Sequence, residues 1–279
     1  MRADLLPLLP GLLLALVLAG AGPCGGGDPP APPAPAAPQE ETTPEEPVPP
    51  VERLRAKVVA VHPHDPDAFT QGLVWHDGFL WESTGQHGRS EVRQVELETG
   101  RVVRRAPLGP GYFGEGLARV EERLVQLTWQ EGTAFYWSLP GLEPAGERGY
   151  DGEGWGLCHD GRRLVMSDGS SYLTFRDPDS FDELRRLRVE LDGLPLANLN
   201  ELECVDGFVY ANVWQAEWLV KIDPETGRVV ARLDATGLLS AEERVGTDVM
   251  NGVAYRPETG TFLLTGKYWP KLFEVAWEP

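Results

Sequence analysis

One carboxylate, one ammonium, two primary amides and a group of aromatic side chains recur at matching places in short strings along the chain. Gln71 stands in Phe69-Thr-Gln-Gly-Leu, Glu115 in Phe113-Gly-Glu-Gly-Leu and Trp155 in Glu153-Gly-Trp-Gly-Leu. Asn200 stands in Leu199-Asn-Glu-Leu-Glu and Lys267 in Thr265-Gly-Lys-Tyr-Trp, while Trp129 and Trp214 close two further runs. A carboxylate enclosed by indole rings is pushed towards its neutral form by desolvation, so it can exchange a proton with a reacting group near neutral pH. Lysine and amide N–H groups can donate to an oxygen on which negative charge develops. Gathered in one concavity, such a set suits a small molecule or a chain end. Each residue also has a plainer reading. Glu115 can serve backbone amides, the tryptophans can pack sheets, Lys267 can pair with a surface acid, and Gln71 and Asn200 can cap turns. His62-Pro63-His64 is a tempting metal pair without a third ligand nearby, and no zinc spacing occurs. His62, His64 and Lys271 are therefore read as structural.

The elements that must bring these residues together read as β throughout. After residue 51 short β-rich runs are broken by turn residues, and helical periodicity is hard to find. Five segments share one layout at a spacing of about 40 to 50 residues, the size of a four-stranded propeller blade. Their first hairpins turn at His76-Asp77-Gly78, Glu121-Glu122-Arg123, His159-Asp160-Gly161, Asp206-Gly207 and Pro257-Glu258-Thr259-Gly260. The fifth segment ends before its outermost strand, and Lys57–His62 is a spare strand at the other end. The expected fold is all-β, a five-bladed β-propeller whose N-terminal strand pairs into the last blade near Lys271–Ala276 and removes both open edges. In that topology the start of the first strand and the end of the second share one mouth. The first slot then holds Gln71, Glu115, Trp155, Asn200 with Glu201, and Asn251. The second holds Glu82, Trp129, Asp168, Trp214 and Lys267. Trp75, Trp81, Trp137, Trp218, Trp269 and Trp277 are assigned to packing.

The chain has 279 residues, of which residues 1–23 read as a signal segment and 24–50 as a Pro/Ala/Glu-rich linker. Ala19-Gly20-Ala21 offers a small-x-small cleavage site, and Cys24 offers a lipid anchor despite the poorly fitting Pro23. Both processing routes stay open, and both imply export to the periplasm or cell envelope. Residues 51–279 form the expected single folded domain. A net charge of −18 argues against a nucleic-acid partner. Cys158 and Cys204 are read as small buried residues in the slot of Val74, Ala118 and Ala254, with a disulfide between adjacent inner strands as the alternative.

The six strings, with Ala211-Asn-Val-Trp-Gln among them, resemble the plant-type, papaya-like glutaminyl-peptide cyclotransferases, and the resemblance spans Val58 to Val275. It implies a five-bladed propeller that converts N-terminal glutamine of peptides and proteins to pyroglutamate with loss of ammonia, without a metal. It also implies a pocket of Phe69, Gln71, Phe113, Glu115, Trp129, Trp155, Asn200, Trp214 and Lys267. Glu115, Gln71, Asn200 and Lys267 are the catalytic candidates, and the aromatic residues are the substrate-binding ones. No cofactor is expected, although the sequence leaves a structural calcium in the channel open. The expected partners are peptides or proteins with N-terminal glutamine, the expected state is a monomer, and membrane attachment would run through Cys24. The alternative function is a non-catalytic ligand-binding or scaffold propeller of the envelope. A calcium-dependent lactonase ranks lower, because the mouth is aromatic rather than rich in carboxylates.

Overall fold

A computed structural model describes residues 49–279; residues 1–23, read above as a signal segment, and nearly all of 24–50, read as a linker, lie outside the described residues. The described chain is all-β, with no α-helix. A long first strand, β1 (Glu52–Pro63), precedes four strands that form one sheet in sequence order: β2 (Thr70–His76), β3 (Phe79–Thr84), β4 (Glu91–Val95) and β5 (Val102–Pro107). A second four-stranded sheet contains β6 (Gly114–Val120), β7 (Arg123–Thr128), β8 (Thr133–Ser138) and β9 (Glu143–Gly149). A third contains β10 (Leu157–His159), β11 (Leu164–Ser167), β12 (Tyr172–Arg176) and β13 (Glu183–Arg188), followed by a small hairpin of β14 (Glu190–Leu191) and β15 (Leu194–Pro195). The remaining strands are β16 (Leu199–Val205), β17 (Phe208–Val213), β18 (Trp218–Ile222), β19 (Val229–Asp234), β20 (Met250–Arg256), β21 (Thr261–Gly266) and β22 (Lys271–Glu278). They join β1 in a composite sheet of order β16-β17-β18-β19-β1-β22-β21-β20.

The turns follow from local chemistry. Asp77 and Gly78 both take positive φ, 53° and 75°, as do Asp206 and Gly207 at 50° and 78°. Two successive left-handed residues make the tight hairpin whose twist matches the flanking strands, and Asp-Gly accepts it at little cost. The composite sheet exists because β1 has two partners. It runs antiparallel to β22 from Arg55↔Glu278 to Pro63↔Lys271, with an irregularity between Val58 and Ala60. Its first residues, Glu52 to Arg55, run parallel to β19. The leading strands β2, β6, β10, β16 and β20 touch one another in that cyclic order, and β20 touches β2 again. This is a β-propeller-like arrangement with apolar side chains sandwiched between successive sheets, such as Leu73, Leu80, Ala254 and Leu263.

Close to the common axis β2, β6, β16 and β20 carry Gly72, Gly116, Glu201 and Gly252, and Gly156 immediately precedes β10, each just after the residue placed in the first slot. A β-carbon on Gly72 would lie 2.5 Å from the Leu117 nitrogen, and one on Gly116 would lie 2.6 Å from the Leu157 nitrogen. Strand backbones therefore touch there, and only glycine fits. Glu201 is the exception. It is fully buried, its Oε2 accepts from Val253 N–H at 2.7 Å, and its Oε1 accepts from Leu73 N–H at 3.1 Å. The carboxylate thus wedges between β16 and β20 and reaches across to β2. Burial pushes its pKa well above the ordinary range, against the pull of those two amides.

One expectation is corrected here. Cys158 and Cys204 form a disulfide with their Cα atoms 5.5 Å apart. Cys158 does share the slot of Val74, Ala118 and Ala254, but Glu203 occupies it on β16; Val74, Ala118, Cys158 and Glu203 line a small lower cavity. Cys204 is one residue further on. That offset turns the two cysteines towards each other on the adjacent strands β10 and β16, within ordinary bridging distance.

Candidate active site

At the opposite end of the same axis a cleft of 440 Å³ is lined by Phe69, Gln71, Phe113, Glu115, Trp129, Trp155, Asn200, Trp214 and Lys267. All nine residues singled out for the pocket line one cavity. Gln86, Gln215, Asp248 and Val249, which were not singled out, complete it. Two backbone positions generate the lining. The first is the slot before the axial glycines. The second is the residue after the second strand, whose N–H bonds back to the leading strand's approach: Trp129 to the Phe113 carbonyl at 2.9 Å, Trp214 to Asn198 at 2.8 Å, Lys267 to Val249 at 2.9 Å and Gly85 to Phe69 at 2.8 Å.

That pattern corrects the second slot in two places. After β3 the equivalent residue is Gly85, not Glu82; in the third sheet the register, three residues beyond Met166 as Gly85 is three beyond Glu82, makes it Gly169, not Asp168. Glycine is required at both. A side chain at Gly85 would collide with the Phe113 ring, and a β-carbon on Gly169 would lie 2.7 Å from the Trp155 ring. Glu82 instead points into the first sheet, bound by Thr70 Oγ1–H at 2.7 Å and Arg93 Nε–H at 2.8 Å, with His64 Nε2 at 3.1 Å. Asp168 caps its own loop and pairs with Arg186. Glu201 and Asn251 were also expected at the mouth. Glu201 is the axial wedge below it, and Asn251 is fully buried behind Gln71, its Nδ2 donating to Gln71 Oε1 at 3.1 Å. His62 lies 3.4 Å from Glu274, and Lys271 pairs with Glu243, both away from the cleft.

The relay from Asn251 continues to the carboxyl. Gln71 Nε2 donates to Glu115 Oε1 at 2.7 Å, which fixes the acid's orientation and leaves Oε2 for the cleft. Burial raises the Glu115 pKa well above the carboxylate range, aided by the nearby charges of Glu153 and Glu131 and opposed by Lys267 and the Gln71 bond. The balance of these influences biases the Glu115 carboxyl towards its protonated form. Burial likewise lowers the Lys267 pKa, against Glu115 and Asp248. Its Nζ stands 4.6 Å from the centre of the Phe69 ring.

The aromatic wall is held as a unit. Glu153 Oε2 accepts the indole N–H of Trp129 at 2.9 Å and that of Trp155 at 3.0 Å, while Oε1 accepts from Gln130 at 2.9 Å. Burial of Glu153 is outweighed by those donors, so its pKa falls and it stays ionised. Trp155 meets Trp214 edge-on at 5.8 Å, and Phe113 sits between Phe69 and Trp129 at 5.8 and 5.7 Å. Trp214, 37 % exposed, is the outermost of these rings. Among the described residues no group of three or more His, Cys, Asp or Glu is arranged to hold a metal ion.

Fold and site together define an all-β, propeller-like protein with one buried carboxyl of raised pKa set in an aromatic-walled pocket. The profile of the glutamine cyclotransferase family matches residues 34–277, and the chain belongs to that family. Arabidopsis thaliana glutaminyl-peptide cyclotransferase is 40% identical over 225 residues, covering 78% of this chain and 70% of the plant protein. The crystal structure of Myxococcus xanthus glutaminyl cyclase superposes with a TM-score of 0.75 at 43% identity, covering 82% of this chain and 98% of the Myxococcus chain.

Proposed function

We infer that this chain is a glutaminyl-peptide cyclotransferase and that Glu115 moves the proton in the reaction. The observation that carries the mechanism is a buried carboxyl, oriented by one amide and facing an aromatic cavity. In the reaction the α-amino nitrogen of the substrate attacks its own γ-carboxamide carbon. A new C–N bond closes the five-membered lactam, the old C–N bond breaks, and ammonia leaves. No external nucleophile is needed, and holding the glutamine folded back between Phe113, Trp129, Trp155 and Trp214 supplies much of the effect. Glu115 Oε2–H protonates the departing –NH₂, and the resulting carboxylate takes a proton from the attacking amine, which restores the acid. Lys267 and Asn200 donate to the amide oxygen as charge builds on it, and Gln71 positions Glu115.

This set of groups completes the proton balance without a metal, so we propose a metal-independent aminoacyl transfer that requires no cofactor. Incubation of the full chain with a Gln-Gly dipeptide should release one ammonia per pyroglutamyl product, unchanged by exhaustive EDTA. Release that ceases with EDTA and returns only with added metal would overturn the metal-free reading.

We further read the scaffold as five blades closed by the N-terminal strand. The cyclic contacts of β2, β6, β10, β16 and β20 and the β1–β22 pairing support it. The domain is taken as residues 51–279, acting as a monomer. Export is supported by the signal-like residues 1–23 and by the Cys158–Cys204 bridge, which suits an oxidising compartment. Labelling with palmitate, with and without Cys24→Ser, separates a lipid-anchored form from a freely released one.

A further inference from the structure

A second cleft, of 370 Å³, shares Phe69 and Gln86 with the active-site pocket. It runs outwards between the β1–β2 and β3–β4 connections, over the edge of the first sheet. Its floor is rigid: Arg93 is gripped by Glu82 at 2.8 Å and Asp65 at 2.7 Å, and its side chain is 5 % exposed. Its rim is not committed in the same way. Arg105 is 60% exposed in its side chain and stands 3.6 Å from Glu91, while the Arg89 guanidinium is exposed and enters no ion pair among the described residues. Three carboxylates also line this cleft: Asp65 is held by Arg93, Glu91 lies between Arg93 and Arg105, and Asp67 faces no arginine within ion-pair distance among the described residues. The pocket itself has Glu131, Glu153 and Asp248 about it and no arginine in its lining. Gln86, at the junction of the two clefts, adopts φ 94°, a strained conformation that turns the chain to join them.

A polypeptide whose first residue fills the pocket must leave across one of its walls, and each following residue advances about 3.3 Å. The wall made by Phe69 and Gln86 opens directly into this polar cleft. We propose that the cleft binds the segment following the N-terminal glutamine and selects substrates with an acidic side chain within the first few residues, through Arg89 and Arg105. The proposal rests on the cyclotransferase reading of the adjoining pocket and adds a substrate class to it. The net charge of −18 would by itself favour basic peptides. A preference for acidic ones therefore cannot come from the overall field.

The test compares a Gln-Gly dipeptide with longer peptides carrying two glutamates or two lysines after that dipeptide. For the wild type KM should be about five-fold lower for the acidic peptide at equal kcat, the scale of one or two exposed charge contacts. The difference should fade in about 1 M salt. Arg89→Glu with Arg105→Glu should reverse the preference, and Arg89→Ala with Arg105→Ala should abolish it. Both variants should turn over the dipeptide as the wild type does, which also reports that they fold. Equal KM values for the two longer peptides, or a preference that survives the double variants, would overturn the subsite. A wild type that fails on the dipeptide would instead overturn the cyclotransferase reading beneath it.

Discussion

Two glutamates, Glu82 in the first sheet and Glu115 in the second, are almost completely buried, yet their environments drive them in opposite directions. Desolvation opposes ionisation at both, but Arg93, His64 and Thr70 converge on Glu82, and its pKa falls well below the ordinary 4.5. Glu115 has one amide donor and a lysine acting at longer range, and its pKa rises. Burial alone marks neither residue as catalytic. What separates the two is the number of partners the fold supplies: Glu82 has Arg93, His64 and Thr70, whereas Glu115, the proposed proton-transfer group, has the single amide of Gln71.

The contrast can be tested most severely at the structural carboxylate. Glu82→Gln strips Arg93 of its buried counter-charge and should cost about 3 kcal/mol of stability, the lower end for a broken buried pair. Turnover per folded molecule should change little. Chemical denaturation read beside activity checks both halves, and a loss of turnover without a loss of stability would reverse the assignment. The deficit should narrow in acid. A carboxylate with a depressed folded pKa contributes stability above its unfolded pKa and loses it as pH falls through the folded one.

Glu115→Gln should lower kcat by about 10², or about 2.7 kcal/mol of activation free energy, with KM nearly unchanged. Here the linkage has the opposite sign. A carboxyl whose folded pKa is raised contributes fully below pH 4.5 and loses that contribution as pH rises through the folded pKa. The variant should therefore gain stability relative to the wild type as the solution is made alkaline. Stability curves that stay parallel from pH 5 to 9 would show that Glu115 is not held neutral. The smallest effect is expected at the aromatic wall. Trp214→Phe should raise KM about five-fold and leave kcat within about two-fold, because one exposed ring edge of the cage is lost. A drop in kcat alone would place Trp214 in the chemical step.

Much of this was legible in the sequence because the repeat places equivalent residues at equivalent turns. Asp77-Gly78 and Asp206-Gly207 announce their hairpins, and nine pocket residues fall in one cavity. The slot register failed at Glu82 and Asp168 for a definite reason. The residues that truly occupy those places are Gly85 and Gly169, whose missing side chains make room for the rings of Phe113 and Trp155. A reading that searches for functional groups overlooks positions whose contribution is empty space. Gln86 and Gln215 were missed although a signal was present: glutamine follows the second-strand slot at Gln86, Gln130 and Gln215. Val249 holds the place of Phe69 and Phe113 in the repeat, two residues before Asn251, but its side chain carries no functional group to draw attention, and Asp248 precedes that place without a counterpart in the lining. The bridge between Cys158 and Cys204 turned on an offset of one residue in β16, where Glu203 takes the shared slot.

Glu201 has a consequence for traffic through the molecule. Its carboxylate ties β16 to β2 and β20 one residue beyond Asn200 of the pocket lining, and we read it as a plug that leaves the pocket a single mouth. A polypeptide cannot thread through it. A glutamine in the middle of a chain could reach Glu115 only as a doubled-back loop, two backbones wide, whereas a free N-terminus enters as a single strand. The scaffold thus spares internal glutamines before any chemistry is attempted. On the proposed mechanism ammonia is released beside Glu115, on the inner side of the glutamine, so product and ammonia would share the mouth by which the substrate entered.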